Sequence, residues 1–193
     1  MPVYLRPLLV CLSHTRPIRK RLEKNDMDIR LASEEQLDDI FAVYSEAIIT
    51  MEKDGIHQWD EIYPDKQIIS EDIAESRMFI GIEDGRIAVC FVLCEECDDE
   101  YKNGRWLYPD SRFNVIHRLC VAPSFQHQGV AARALCQIEK ICKSNGYDSI
   151  RLDCFTENPY SQRLYDRAGY TVTGYADWRK GRFELREKLL RPL

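Results

Sequence analysis

The chain has 193 residues, a formal net charge of −5, 45% hydrophobic residues and 31% charged residues. That length suits one domain of roughly 100–200 residues with a substantial core. The acidic balance argues against a nucleic-acid partner, whose phosphates need clustered Lys and Arg, and no run approaches the ~18–20 apolar residues of a membrane-spanning helix. Charge is uneven. Six basic and two acidic residues give residues 1–26 a net of +4, so with −5 for the whole chain residues 27–193 carry −9. The expectation is a disordered N-terminal extension over 1–26 and one folded domain over 27–193; an Arg-rich, acid-poor transit peptide is the other reading of the first segment.

From Met27 the pattern becomes regular. Asp28–Ala32 reads as a short strand, and Ser33-Glu34-Glu35-Gln36 has the form of a capping box. Apolar residues Leu37, Ile40, Phe41, Tyr44, Ala47 and Ile48 then recur at helical spacing. A loop over Glu52–Tyr63 leads to Pro64-Asp65, which opens a second helix to about Ser76. Met78–Ile82 and Ile87–Leu93 read as strands joined by Asp84-Gly85, a tight hairpin signal. The polar stretch Glu95–Arg112 reads as a long loop. Asn114–Val121 is a strand, Val130–Ser144 a helix ended by Asn145-Gly146, and Ser149–Phe155 a strand. Pro159–Ala168 is a helix, with proline in the first turn, where no N–H is needed. Strands Tyr170–Trp178 and Phe183–Leu189 close the chain around a turn. The order β-α-α-β-β-β-α-β-α-β-β implies an α+β fold: a mixed, mostly antiparallel sheet flanked by helices.

Eight cysteines raise the question of disulfides or metal. Cys90, Cys120 and Cys154 lie inside apolar strand-like runs, where free cysteine acts as a small hydrophobe. Cys94 and Cys97 form a C-x-x-C pair, but a structural zinc site commonly needs a second pair, and none follows. The reading is of reduced thiols, no metal and a cytoplasmic protein.

One segment carries chemistry. Leu119-Cys120-Val121 ends a strand, Gln126-His127-Gln128-Gly129 forms a loop, and Val130-Ala131-Ala132 begins a helix. A helix start offers unpaired N–H groups and the positive end of the macrodipole, and small residues let a phosphate approach the backbone. The bland alternative is a plain helix start that uses Gly129 for its turn. The run V-x-P-x-x-Q-x-x-G-x-A, Val121 to Ala131, resembles the acyl-CoA-binding motif of the GNAT superfamily of N-acetyltransferases, with Gln126 where Arg is common and Ala131 where Gly is common. Downstream, Asn158, Leu164-Tyr165 and Ala168-Gly169-Tyr170 continue the likeness over roughly Met27 to Leu189.

The resemblance implies acetyl-CoA as co-substrate, with its pyrophosphate on Gln126 to Ala131 and Ala132 close by. It implies Asn158 beside the pantetheine arm and Tyr165 near the sulfur as general acid. The strand before the loop, at Cys120 or Val121, is the expected N–H donor to the thioester carbonyl. His117 is the leading general base, since strand alternation places 117, 119 and 121 on one face and an unperturbed His titrates near 6.5. His-x-Leu-x-Val also resembles the spacing in arylalkylamine N-acetyltransferases. The loop Glu52–Tyr63 is expected to line the acceptor pocket, with Trp59 and Tyr63 reading the substrate; Trp59 as a plain core residue is the other reading. The acceptor is a primary amine on a small molecule or peptide, and a homodimer is compatible with the likeness. Two rivals remain. A non-catalytic acyl-CoA sensor would keep the loop without needing Tyr165 or His117. A mononucleotide-binding domain would need a Gly-rich loop after the first strand, and Asp28–Glu34 has no glycine.

Overall fold

A computed structural model describes residues 27–190; the expected N-terminal extension lies outside them. The described chain runs β1 (Asp28–Leu31), α1 (Leu37–Lys53), α2 (Lys66–Ala74), β2 (Met78–Glu83), β3 (Arg86–Cys94), β4 (Phe113–Val121), α3 (Val130–Ser144), β5 (Ser149–Phe155), α4 (Pro159–Ala168), β6 (Thr171–Trp178) and β7 (Gly181–Leu189). The seven strands form one sheet in the order β1-β2-β3-β4-β5-β7-β6. Every pairing is antiparallel except β4 with β5. This is the mixed, mostly antiparallel α+β sheet read from the sequence.

Local chemistry accounts for the element ends. The Ser33 N–H donates to Gln36 Oε1 at 3.1 Å, closing the capping box ahead of α1. Asp65 caps α2 by accepting from the Ile68 N–H at 2.8 Å. The β2–β3 turn has positive φ at both Asp84 and Gly85, as a tight hairpin requires. Ala88 through Val92 have no solvent exposure, so β3 is covered on both faces. Helices α1 and α2 pack together, as do α3 and α4, and both α1 and α3 contact β3 and β4.

Two features depart from the simple reading. The long loop over 95–112 is pinned down as a flap. Its Tyr101 is buried with Val115, Ala176 and Leu185, and the Glu187 carboxylate, 1% exposed, accepts the N–H groups of Leu107 (2.7 Å) and Tyr108 (3.1 Å). The second departure is a bulge in β4. Val92 faces His117 and Cys90 faces Cys120, so one residue of β3, Phe91, opposes two of β4, Arg118 and Leu119. The extra step is taken at Arg118, whose φ is +53°. Such a bulge bends its strand and breaks the alternation of side chains.

Candidate functional site

The bulge is what opens the site. Strands β4 and β5 pair from Phe113–Ser149 only as far as Ile116–Leu152. Beyond that point β5 continues along β7 to Phe155, while β4 turns with β3, and the two strands part. Two cavities occupy the gap, one of about 890 Å³ and one of about 680 Å³. Gln58, Trp59, Arg118 and Asp153 line both, so the cavities meet at these four side chains.

The larger cavity gathers most of the residues expected to hold acetyl-CoA. Leu119, Cys120, Val121, Gln126, His127, Gly129, Val130, Ala131 and Ala132 all line it, together with Asn158 and Tyr165. Gln128 stands apart, exposed, with its Nε2 donating to the Ser124 carbonyl at 2.9 Å. Gly129 caps α3 with φ +74°, and His127 is also left-handed at +59°. A Cβ on Gly129 would meet nothing nearer than Arg133 Nη1 at 3.6 Å, so backbone conformation rather than crowding selects glycine here. These turns expose the first N–H groups of α3, which no intrahelical acceptor can satisfy, to the cavity. A loop, a helix start and a roomy cleft of this kind fit a pyrophosphate with its pantetheine arm. Arg163 and Arg167, one turn apart on α4, add exposed positive charge along the same wall.

Asn158 has a second role. Its Oδ1 caps α4 by accepting the N–H groups of Tyr160 (3.2 Å) and Ser161 (3.1 Å), and its Nδ2 donates to Gln58 Oε1 at 2.9 Å. It therefore ties the start of α4 to the loop that divides the cavities. Tyr165 is buried against Tyr170, edge to face at 5.7 Å, and burial raises its phenol pKa. The Ala122 N–H donates to the Ala88 carbonyl at 2.9 Å. Backbone groups alternate sides along a strand, so Val121 directs its N–H away from β3, toward the parted strands. Its carbonyl, on that same side, accepts from Gln126 Nε2 at 3.1 Å.

The smaller cavity holds His117, Trp59 and Tyr63. The bulge corrects the alternation argument for His117. It opposes Val92 while Cys120 opposes Cys90, so the face it shares is that of Cys120, and it lines a different cavity from Leu119 and Val121. Its Nε2 lies 3.0 Å from the Glu96 carbonyl. Burial lowers its pKa below 6.5, partly countered by Asp153. Both readings of Trp59 hold: it is 8% exposed in the main core, edge-on to Tyr44 at 5.6 Å, and it lines both cavities. The Tyr63 hydroxyl accepts from Arg118 Nη1 at 3.0 Å. Other polar side chains of the loop are committed or remote. Asp60 accepts from Arg179 and Lys180, which hold its carboxyl well below the usual range, and Glu52 and His57 are exposed and line neither cavity.

The sequence reading passed over several residues that the fold brings here. Arg118 is anchored by Asp72, which is fully buried and also accepts from Arg77 Nε at 2.7 Å. The Tyr44 hydroxyl donates to the Arg118 carbonyl at 2.8 Å. Asp153 accepts from the Tyr101 hydroxyl at 2.9 Å. A carboxylate and a guanidinium inside otherwise apolar strands were the available signals. Cys94 and Cys97 also line the smaller cavity. All seven described cysteines are free, and the described residues contain no group of three or more His, Cys, Asp or Glu suited to a metal.

Similar proteins have this architecture. An acetyltransferase of the GNAT family from Streptococcus agalactiae is 26% identical, with a TM-score of 0.77 over 86% of this chain and 96% of its own. A putative acetyltransferase from Salmonella typhimurium, solved with its cofactor acetyl-CoA, is 16% identical with a TM-score of 0.63 over 88% and 96%. The PaiA N-acetyltransferase of Thermoplasma acidophilum, in complex with coenzyme A, is 20% identical with a TM-score of 0.63 over 84% and 98%. No curated protein matches the sequence. The model of the Acetyltransferase (GNAT) family matches residues 38–170, a span that takes in the loop at Gln126–Ala132 and the parted strands β4 and β5, and the chain belongs to that family of acetyl-CoA-dependent acetyltransferases.

Proposed function

We propose that this chain moves an acetyl group from acetyl-CoA to a primary amine by direct attack. The observation that carries the reading is the pair of cavities meeting where β4 and β5 part: one is lined by the phosphate-binding loop and Tyr165, the other by His117. Acetyl-CoA supplies an activated acetyl thioester. The N–H groups at the start of α3 hold the pyrophosphate, and Gly129 allows its approach. The Val121 N–H, turned into the gap, stabilises the carbonyl oxygen as it gains charge. His117 removes a proton from the acceptor. Burial keeps the imidazole neutral near pH 7, the state a base requires. Tyr165, whose raised pKa keeps its proton on, donates to the departing sulfur. The acceptor, on a small molecule or a peptide, reaches the junction past Trp59 and Tyr63.

The test has two arms. Acetyl-CoA should raise the melting temperature of the wild type, because it binds only the folded state, and should not raise that of Gly129→Glu, whose carboxylate repels the pyrophosphate. Free thiol should then appear with at least one member of a panel of primary amines. Stabilisation without thiol release from any amine would favour a non-catalytic acyl-CoA-binding domain, and no stabilisation of a folded wild type would remove both readings.

A further inference from the structure

We propose that Asp153 is a third catalytic residue: its carboxylate receives the acceptor as an ammonium ion and, together with His117, takes up the proton the amine must shed. The proposal rests on acetyl transfer to an amine at this cleft.

Position is the first argument. The last β4–β5 pair is Ile116 with Leu152. His117 and Asp153 are therefore the next residues on two parallel neighbours, side by side at the mouth of the split, and each shifts the titration of the other. Asp153 lines both cavities, whereas His117 lines only the smaller. Of the four side chains that line both cavities, Asp153 alone carries a carboxylate, which places a proton acceptor where the two cavities meet.

Charge is the second argument. The cations of the smaller cavity are already committed. Arg118 pairs with Asp72, Arg77 with Asp72, Glu75 and Glu96, and Arg179 and Lys180 both with Asp60. No lysine or arginine pairs with Asp153 among the described residues. The groups facing it are His117 and Arg118 from β4, Tyr101 and Asp98 from the 95–112 flap, Tyr63 from the loop after α1, Tyr165 from α4, and its neighbour Cys154. Among the described residues the Tyr101 hydroxyl is the side chain that donates to it, at 2.9 Å on Oδ1. Burial raises its pKa, against the opposing pull of His117. A half-buried carboxylate in this setting is complemented by a cation that comes and goes, and the ammonium form of a primary amine is that cation.

The step balances as follows. The ammonium gives one proton to the Asp153–His117 pair. Its freed lone pair forms a C–N bond to the acetyl carbon, and the C–S bond breaks with its electron pair going to sulfur. Tyr165 protonates that sulfur and regains its proton from the nitrogen, which becomes an amide. The pair returns its proton to solvent.

The experiment compares wild type, Asp153→Asn and Asp153→Glu on two acceptors: a primary amine that is cationic at the assay pH, and hydroxylamine, which is largely neutral. Asp153→Asn should lose about 10²-fold or more in kcat/KM on the cationic amine, the scale of a positioned acid–base group. It should lose far less on hydroxylamine and keep the melting shift with acetyl-CoA. Asp153→Glu should recover part of the loss. Equal losses on both acceptors, or a wild-type rate in Asp153→Asn, would overturn the assignment while leaving acetyl transfer intact. A wild type that releases thiol with no amine would overturn the acetyl-transfer reading and this proposal with it. Should Asp153→Asn fail to fold, Tyr101→Phe decides: loss of that hydroxyl should move the acid limb of kcat/KM to higher pH, and an unmoved limb would sink the proposal.

Discussion

Replacing Asp72 with asparagine should damage both stability and the cleft. Asp72 is fully buried and serves two guanidinium groups, those of Arg118 and Arg77, whose side chains are 13% and 21% exposed. Asp72→Asn keeps the shape and one acceptor oxygen but leaves Arg118 without its counter-charge and Arg77 with only the exposed carboxylates of Glu75 and Glu96. Removing one partner of a buried pair costs about 3–5 kcal/mol; the retained oxygen argues for the lower end, about 3 kcal/mol. In a chain of this size each 1 kcal/mol moves the melting temperature by about 2–4 °C, so a fall of about 6–12 °C is expected. Arg118 also forms the bulge, so kcat/KM should drop by about tenfold or more even well below the melting point, as displaced catalytic geometry does. Thermal unfolding and steady-state kinetics on Asp72→Asn, Arg118→Met and the double variant form the assay. The double variant should be less damaged than the sum of the singles, with a coupling of about 0.5–3 kcal/mol. A melting temperature within about 1 °C of wild type, or strict additivity, would refute the idea that this pair holds the bulge.

Three further outcomes follow from the same geometry. Tyr44→Phe removes the hydroxyl that donates to the Arg118 carbonyl at 2.8 Å, and urea unfolding should register a loss of about 1–2 kcal/mol, the cost of an unpaired buried acceptor. Acetyl-CoA should protect Cys136, an exposed residue lining the larger cavity, from iodoacetamide in a peptide-resolved time course. Buried Cys120 and Cys142, whose thiols burial pushes up to about 12, should stay unlabelled with or without ligand, since the thiolate is the reactive form. The acid limb of kcat/KM should lie below pH 6.5, because the folded state lowers the His117 pKa. By the same shift, the unfolded chain binds this proton more readily, so the His117 contribution to stability is present above 6.5 and is lost as pH falls; a limb that persists unchanged in His117→Gln would remove His117 as the base.

Much of the fold was legible because it follows local rules. The ends of α3, β5 and α4 fall where the sequence predicts them, since each is marked by glycine, proline or a change of hydrophobic period. The candidate loop at Gln126–Ala132 stood out in the sequence because a helix start that exposes backbone groups beside small residues leaves a contiguous trace. The residues around the smaller cavity left no such trace. Asp72, Arg118 and Asp153 sit on α2, β4 and β5, and nothing in the spacing of 72, 118 and 153 indicates that they meet. The pinning of the long loop over 95–112 left no local trace because its anchors are distant: Glu187 on β7 and Thr173 on β6 accept its backbone N–H groups.

The failed alternation at His117 has a more specific cause, and it bears on how the site is built. A period of two assumes every residue of β4 is extended, whereas Arg118 takes a left-handed φ of +53°, a conformation that costs a non-glycine residue about 1–2 kcal/mol. Glycine would avoid that cost, yet arginine stands there. The side chain supplies what glycine could not: its guanidinium is held by Asp72 and donates to Tyr63, while Tyr44 secures its carbonyl. These three contacts come from α2, the loop after α1 and α1 itself. The bulge is therefore braced by the first two helices and the loop between them, while its geometric effect is to part β4 from β5 and open the cleft. Strain kept at such a point persists only where its surroundings over-determine it. The same arginine lines both cavities, so a change that loosens α2 or the Tyr63 loop reaches the larger cavity through one residue, and that residue is the one a simple strand pattern misreads.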